Sequence, residues 1–181
     1  MDLFKKILLM IVSPTVGWEK INKLNIPTRI LLSSVFYPTL AVVAASVFVR
    51  LFYDEDLTLT RTLINAIIAF ASYFFAFHIS SVVVNFFLPG ENHEAKDRMD
   101  NLLIFGFEYL AMLNVVSNLL PTRFSVLDFA SLYVGFIIFK GIDYINYVGK
   151  STVFIVGTSI LMLLTPTIIK YLLEISLCRI I

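Results

Sequence analysis

Five long apolar runs, set apart by short clusters of charge, account for most of the sequence. They are Ile30–Leu51, Leu63–Phe87, Leu102–Leu120, Val126–Tyr144 and Thr152–Leu173. A helix needs about 20 mostly apolar residues to cross a hydrocarbon core about 30 Å thick, and each run meets or approaches that length. The runs are apolar on all sides and lack the two-residue alternation of a barrel strand. In lipid, a helix satisfies its backbone hydrogen bonds within one segment. The pattern therefore predicts an all-α membrane protein, with a five-helix transmembrane bundle over residues 30–181 and a separate N-terminal segment over residues 1–29. Asp128, Lys140 and Asp143 sit near the ends of the fourth run. That run either crosses the membrane or re-enters it from one side.

The N-terminal segment has a different period. Leu3, Phe4, Ile7, Leu8 and Ile11 recur at helical spacing, with Asp2, Lys5 and Lys6 opposite. This predicts an amphipathic helix lying in the membrane interface. A secretory signal peptide fits poorly: the apolar stretch Ile7–Val12 is short, and Ser13-Pro14 follows it without a small-x-small cleavage site. Ser13 as N-cap and Pro14 at the first helical position start a second short helix, which ends before Pro27. Trp18 and Ile21 lie on one side of it, and Trp commonly sits at headgroup level. The expected membrane-interface set is Leu3, Phe4, Lys5, Lys6, Ile7 and Trp18.

Composition strengthens the membrane assignment. Of 181 residues, 59% are hydrophobic and 15% charged, against about 45–50% and about 25% in an average soluble domain. The net charge of +1 excludes a broad electrostatic footprint for nucleic acid. Cys178 is the single cysteine, so neither an intrachain disulfide nor a cysteine-based metal site is available. With five crossings, Lys5, Lys6, Lys20, Lys23, Arg29, Lys96, Arg98, Lys140 and Lys150 share one side, and Arg50, Arg61, Arg123, Lys170 and Arg179 the other. The positive-inside bias then puts the N-terminus in the cytoplasm.

Two stretches carry a family resemblance. One is SPTVGWEKI, from Ser13 to Ile21; the other is LYVGFIIFKGI, from Leu132 to Ile142, with Tyr133 and Gly141 at its marked positions. Together with five apolar runs, they resemble the short bacterial members of the Yip domain family, the Ypt/Rab-interacting membrane proteins. The resemblance implies an integral protein of the bacterial cytoplasmic membrane with no catalytic residues. The sequence departs from the family pattern between Glu91 and Asp100, which is acidic and without a glycine pair, and in Phe107–Val116, which has no proline.

Ionisable groups inside a span are expensive and point to function. His78 and Glu108 are the two deepest. In an antiparallel hairpin of the second and third runs centred on His93, His78 opposes Glu108 and Asn85 opposes Asn101. His78, Ser81 and Asn85 form one helical stripe, and Asn101 and Glu108 another. The expected cluster is therefore His78, Ser81, Asn85, Asn101 and Glu108. It is either a proton- or ion-handling pair or a polar contact that fixes helix register. The acidic connection from Pro89 to Asp100 has no recognised metal spacing and reads as a solvated turn with i,i+4 pairs. Lys170 and Glu174 form a further i,i+4 pair near the membrane boundary.

No glycine-rich phosphate loop, nucleophile elbow or cofactor motif is present. The expected function is that of a non-enzymatic membrane scaffold or partner-binding subunit. Its partners are the lipid bilayer and a membrane protein or a second copy of the chain. The alternative is a component for small-solute, ion or lipid transport that uses the His78/Glu108 pair. A transporter favours more midplane polar groups, broken helices and often an internal repeat; only Pro38 hints at a break, and the two halves show no convincing repeat.

Overall fold

A computed structural model describes residues 9–23, 26–87, 93–121, 125–144 and 152–178, together with residue 5. Every element among them is helical. After a helical turn at residues 9–12 come α1 (Pro14–Asn22), α2 (Thr28–Phe52), α3 (Leu59–Phe86), α4 (His93–Leu119), α5 (Ser125–Ser131), α6 (Tyr133–Tyr144) and α7 (Thr152–Cys178). Among the described residues, α2, α3, α4 and α7 are long and apolar enough to cross a membrane.

The boundaries follow local chemistry. Pro27 precedes α2, and Pro38 lies inside it. A proline ring clashes with the carbonyl four residues back and leaves it without its bond. The helix answers with a π-helical turn over Leu32–Phe36, in which the Tyr37 N–H donates to the Leu32 carbonyl five residues earlier. Thr58 caps α3 by accepting from the Arg61 N–H at 3.2 Å. The last long helix, α7, contains Pro166.

The fourth apolar run does not form one straight helix. It divides at Leu132 into α5 and α6, each too short to cross a membrane alone. Neither proline nor glycine occupies the break. Instead the Ser131 hydroxyl donates to the Asp128 carbonyl at 2.6 Å, and the Leu132 N–H turns to the Phe129 carbonyl three residues back. Such side-chain competition for a helix carbonyl is a recognised source of bends.

The bundle is built around α4. Its residues Leu102–Ala111 are all buried, whichever way their side chains point. α2, α3 and α6 pack around this stretch. Helix α6 runs antiparallel to α4: Tyr109 donates to the Ala130 carbonyl at 2.6 Å, while a Cβ on Gly141 would fall 2.2 Å from Leu102 Cδ1. Only glycine allows α6 to approach this closely, because the same missing Cβ makes room for the Trp18 ring.

Trp18 therefore corrects an expectation. Its ring is not presented to lipid headgroups but is buried between α1, α4 and α6. Nε1 donates to the Ile137 carbonyl at 3.1 Å, and the ring meets Phe105 edge-on at 5.4 Å. Ile21 and Met10 are buried with it, and Tyr133 donates to the Ile11 carbonyl at 3.1 Å. The reason is the break at Ser13, which folds α1 back onto α6 and turns its apolar side toward protein. Of the other expected interface residues, Lys5 is exposed, while Leu3, Phe4, Lys6 and Ile7 lie outside the described residues.

Candidate functional site

The expected polar ladder between α3 and α4 is present in part, with different partners. Ser81 donates to Asp100 Oδ1 at 2.6 Å. Asn85 donates to the same oxygen at 2.9 Å and to Ser81 Oγ at 3.2 Å. Asp100, not Asn101, is thus the partner of Asn85. Asn101 lies one residue, or about 100°, further round the helix, and its side chain donates to the Ile26 carbonyl at 3.0 Å.

His78 and Glu108 are not joined by a hydrogen bond or an ion pair. The His78 ring is half-buried and lies edge-on to Phe74 at 4.6 Å and Phe77 at 5.1 Å. Its acidic neighbour is Asp100, which lies within electrostatic range. Glu108 is completely buried, and both its carboxyl oxygens lack a hydrogen-bond partner. Thr39 on α2 lies close enough to act on its carboxyl. The register explains the miss. Tyr73 donates to the Leu110 carbonyl at 3.2 Å, and Ser81 meets Asp100. His78 therefore stands level with about residue 104, and Glu108 lies about 6 Å further along. The depths are similar, but Glu108 points toward α2 and away from α3.

A second polar region lies at the other end of these helices, beside the α2–α3 turn. A cavity of ≈ 510 Å³ opens there between the C-terminal end of α2, the first half of α3, the last third of α4, α5 and the second half of α7. Asn65, Ser72 and Tyr73 line it from α3, and Asn114, Ser117 and Asn118 from α4. Asp128 enters from α5, and Thr167, Lys170 and Glu174 from α7, with Arg50 at the rim. A contiguous space of ≈ 260 Å³ reaches on between α5 and α7, past Ser131 and Leu163.

The walls are held by hydrogen bonds. Asn118 donates to Ser46 Oγ at 2.9 Å and to Asn114 Oδ1 at 3.1 Å, and Tyr53 donates to the Asn118 carbonyl. Charges of both signs surround the opening, with Arg50 paired to Asp54 at 3.3 Å and Lys170 to Glu174 at 3.9 Å. Sequence reasoning passed over this site. Its signal was the i,i+4 pair Asn114 and Asn118 inside an apolar run, with Asn65 in another. Five elements must fold together before those residues share a space.

Among the described residues, no three His, Cys, Asp or Glu side chains converge to hold a metal ion. No family model matches the sequence, and no curated protein or solved structure matches it either.

Proposed function

We propose that this is a multi-pass membrane protein whose bundle binds a small polar ligand: a solute, an ion or a lipid headgroup. It acts as a binding or transport component and not as an enzyme. The observation that carries this reading is the polar cavity between α3, α4, α5 and α7. Asn, Ser and Tyr side chains are costly to place in an apolar bundle unless they bond to one another or to a ligand, and a concave site with a few convergent polar groups is the usual form of a binding site. The test is native mass spectrometry of the protein released from its own membrane in mild detergent. Wild type should carry a stoichiometric small ligand, and Asn114→Leu with Asn118→Leu should lose it. A wild-type spectrum free of any adduct would sink the reading.

The same proposal covers topology. α5 and α6 together run antiparallel to the buried part of α4, from Ala130 beside Tyr109 to Gly141 beside Leu102, which supports counting them as one broken crossing and the bundle as five. The excess of Lys and Arg on the N-terminal side supports a cytoplasmic N-terminus and an interfacial role for Lys5 and Lys6. The cavity then faces the outer side.

The second reading is a scaffold or partner-binding subunit, supported by the Yip-like stretches Ser13–Ile21 and Leu132–Ile142. In the fold these two stretches are one structure, since α1 packs on α6 through Trp18 and Gly141. A stoichiometric protein partner that remains bound when the cavity asparagines are replaced would favour it.

A further inference from the structure

We infer that the cavity takes the zwitterionic headgroup of a phosphoglyceride, of the ethanolamine or choline type, which enters sideways from the bilayer between α5 and α7. The inference rests on the binding reading above and adds the ligand class and the route. Three observations carry it.

The first is depth. The cavity lies beside the α2–α3 turn, next to the Arg50–Asp54 and Lys170–Glu174 pairs. Charged pairs of this kind sit where hydrocarbon gives way to water, so the space is at headgroup level.

The second is the opening. α5 packs on α4 and α6 but makes little contact with α7, and the contiguous space runs through that gap. The outer faces beside the gap are apolar and exposed, with Val126 and Phe129 on α5 and Leu164 and Ile168 on α7. The inner walls mix Asn114, Ser117, Asp128 and Thr167 with Leu110, Leu113 and Leu163. A gap on helices that carry exposed apolar residues, leading to a chamber of mixed polarity, matches an amphiphile whose acyl chains stay in the bilayer while its head turns inward.

The third is charge. Two cations, Arg50 and Lys170, and two anions, Asp128 and Glu174, line the same space. The cations suit a phosphate, and Asp128 with Glu174 suits an ammonium. A headgroup with phosphate alone would leave the carboxylates facing its negative charge.

The test uses the full chain in nanodiscs that contain equal amounts of phosphatidylethanolamine and phosphatidylglycerol, followed by native mass spectrometry of retained lipid. Wild type should retain phosphatidylethanolamine in preference to phosphatidylglycerol. Asp128 is exposed, so Asp128→Lys leaves the fold intact. It should reduce that preference about tenfold, the loss expected for one charge-assisted contact. Lys170→Gln should lower retention of both lipids. Equal retention of the two lipids by wild type would overturn the inference. So would displacement of lipid by free phosphoethanolamine at matched concentration, which would leave the binding reading standing with a soluble ligand. Absence of any ligand, lipid or solute, would sink both.

Discussion

Glu108 sits in the most enclosed part of the protein with neither carboxyl oxygen in a hydrogen bond, and that makes it a measurable oddity. A buried polar group without a partner costs about 1–3 kcal/mol. Replacing Glu108 by Leu should therefore raise the melting temperature in detergent, with Glu108→Gln close to wild type; a marked loss for both would mean that the carboxyl has a partner in the membrane. Trp18 is the opposite case, because its ring and its N–H are both used. Trp18→Phe keeps the contact with Phe105 and gives up the indole's extra hydrogen bond to the Ile137 carbonyl, at a cost of about 1 kcal/mol. Gly141→Ala should be worse, because the new methyl meets Leu102 and the Trp18 ring at once, and overpacking costs about 1–3 kcal/mol. Thermal unfolding of the two variants checks the order. Neither residue's surroundings could be read from spacing. An indole at the end of a short amphipathic helix suits an interface and a core equally well, and the break at Ser13 decides between them.

At the level of elements, four of the five apolar runs correspond to long helices, because a continuous apolar stretch in lipid has one good solution. The largest difference in length is at α4. It begins at His93, nine residues before its apolar run, since Glu94 and Arg98 pair along an exposed helical turn. The break in the fourth run was less legible, because its cause is a serine hydroxyl and not a proline. Register was legible only to within a few residues. Matching polar positions across an assumed turn missed the axial register by about 6 Å at His78, and at Asn85 it named Asn101 where the partner is Asp100, one residue earlier and about 100° round the helix. Asp100→Ala should test this assignment. It removes the acceptor for both Ser81 and Asn85 and should cost about 1–2 kcal/mol, the upper range for interhelical polar contacts in membranes. Asn101→Ala should affect the connection before α2 and leave the α3–α4 pair intact. Disulfide trapping between cysteines placed at Ser81 and Asp100, in a Cys178→Ala background, reports the register directly.

For the whole molecule, the testable quantity is sidedness. A cysteine at Glu55 and one at His93, both exposed positions, should label from opposite faces of the membrane, with His93 reached from the cytoplasm. Labelling of both from one face would contradict α3 as a crossing. The cavity was illegible at this scale for a plain reason. Its walls come from residues 47 to 174, and only the assembled bundle gives them a common space.

The burial of Leu102–Ala111 on every side also bears on how the chain enters a membrane. A segment that never faces lipid in the finished protein is under no pressure to be at home there. Among the four long helices α4 carries the most charge, with Asp100 and Glu108 at or within its apolar stretch. During synthesis it emerges after α2 and α3 and before α6 and α7. Alone it would leave the insertion machinery reluctantly. Beside α3 it finds Ser81 and Asn85 already waiting for Asp100, and beside α2 and α3 an enclosed place for Glu108. The order of helices along the chain thus supplies a chaperone for the helix that most needs one, and transplanting α4 alone into a carrier protein should yield a segment that inserts poorly.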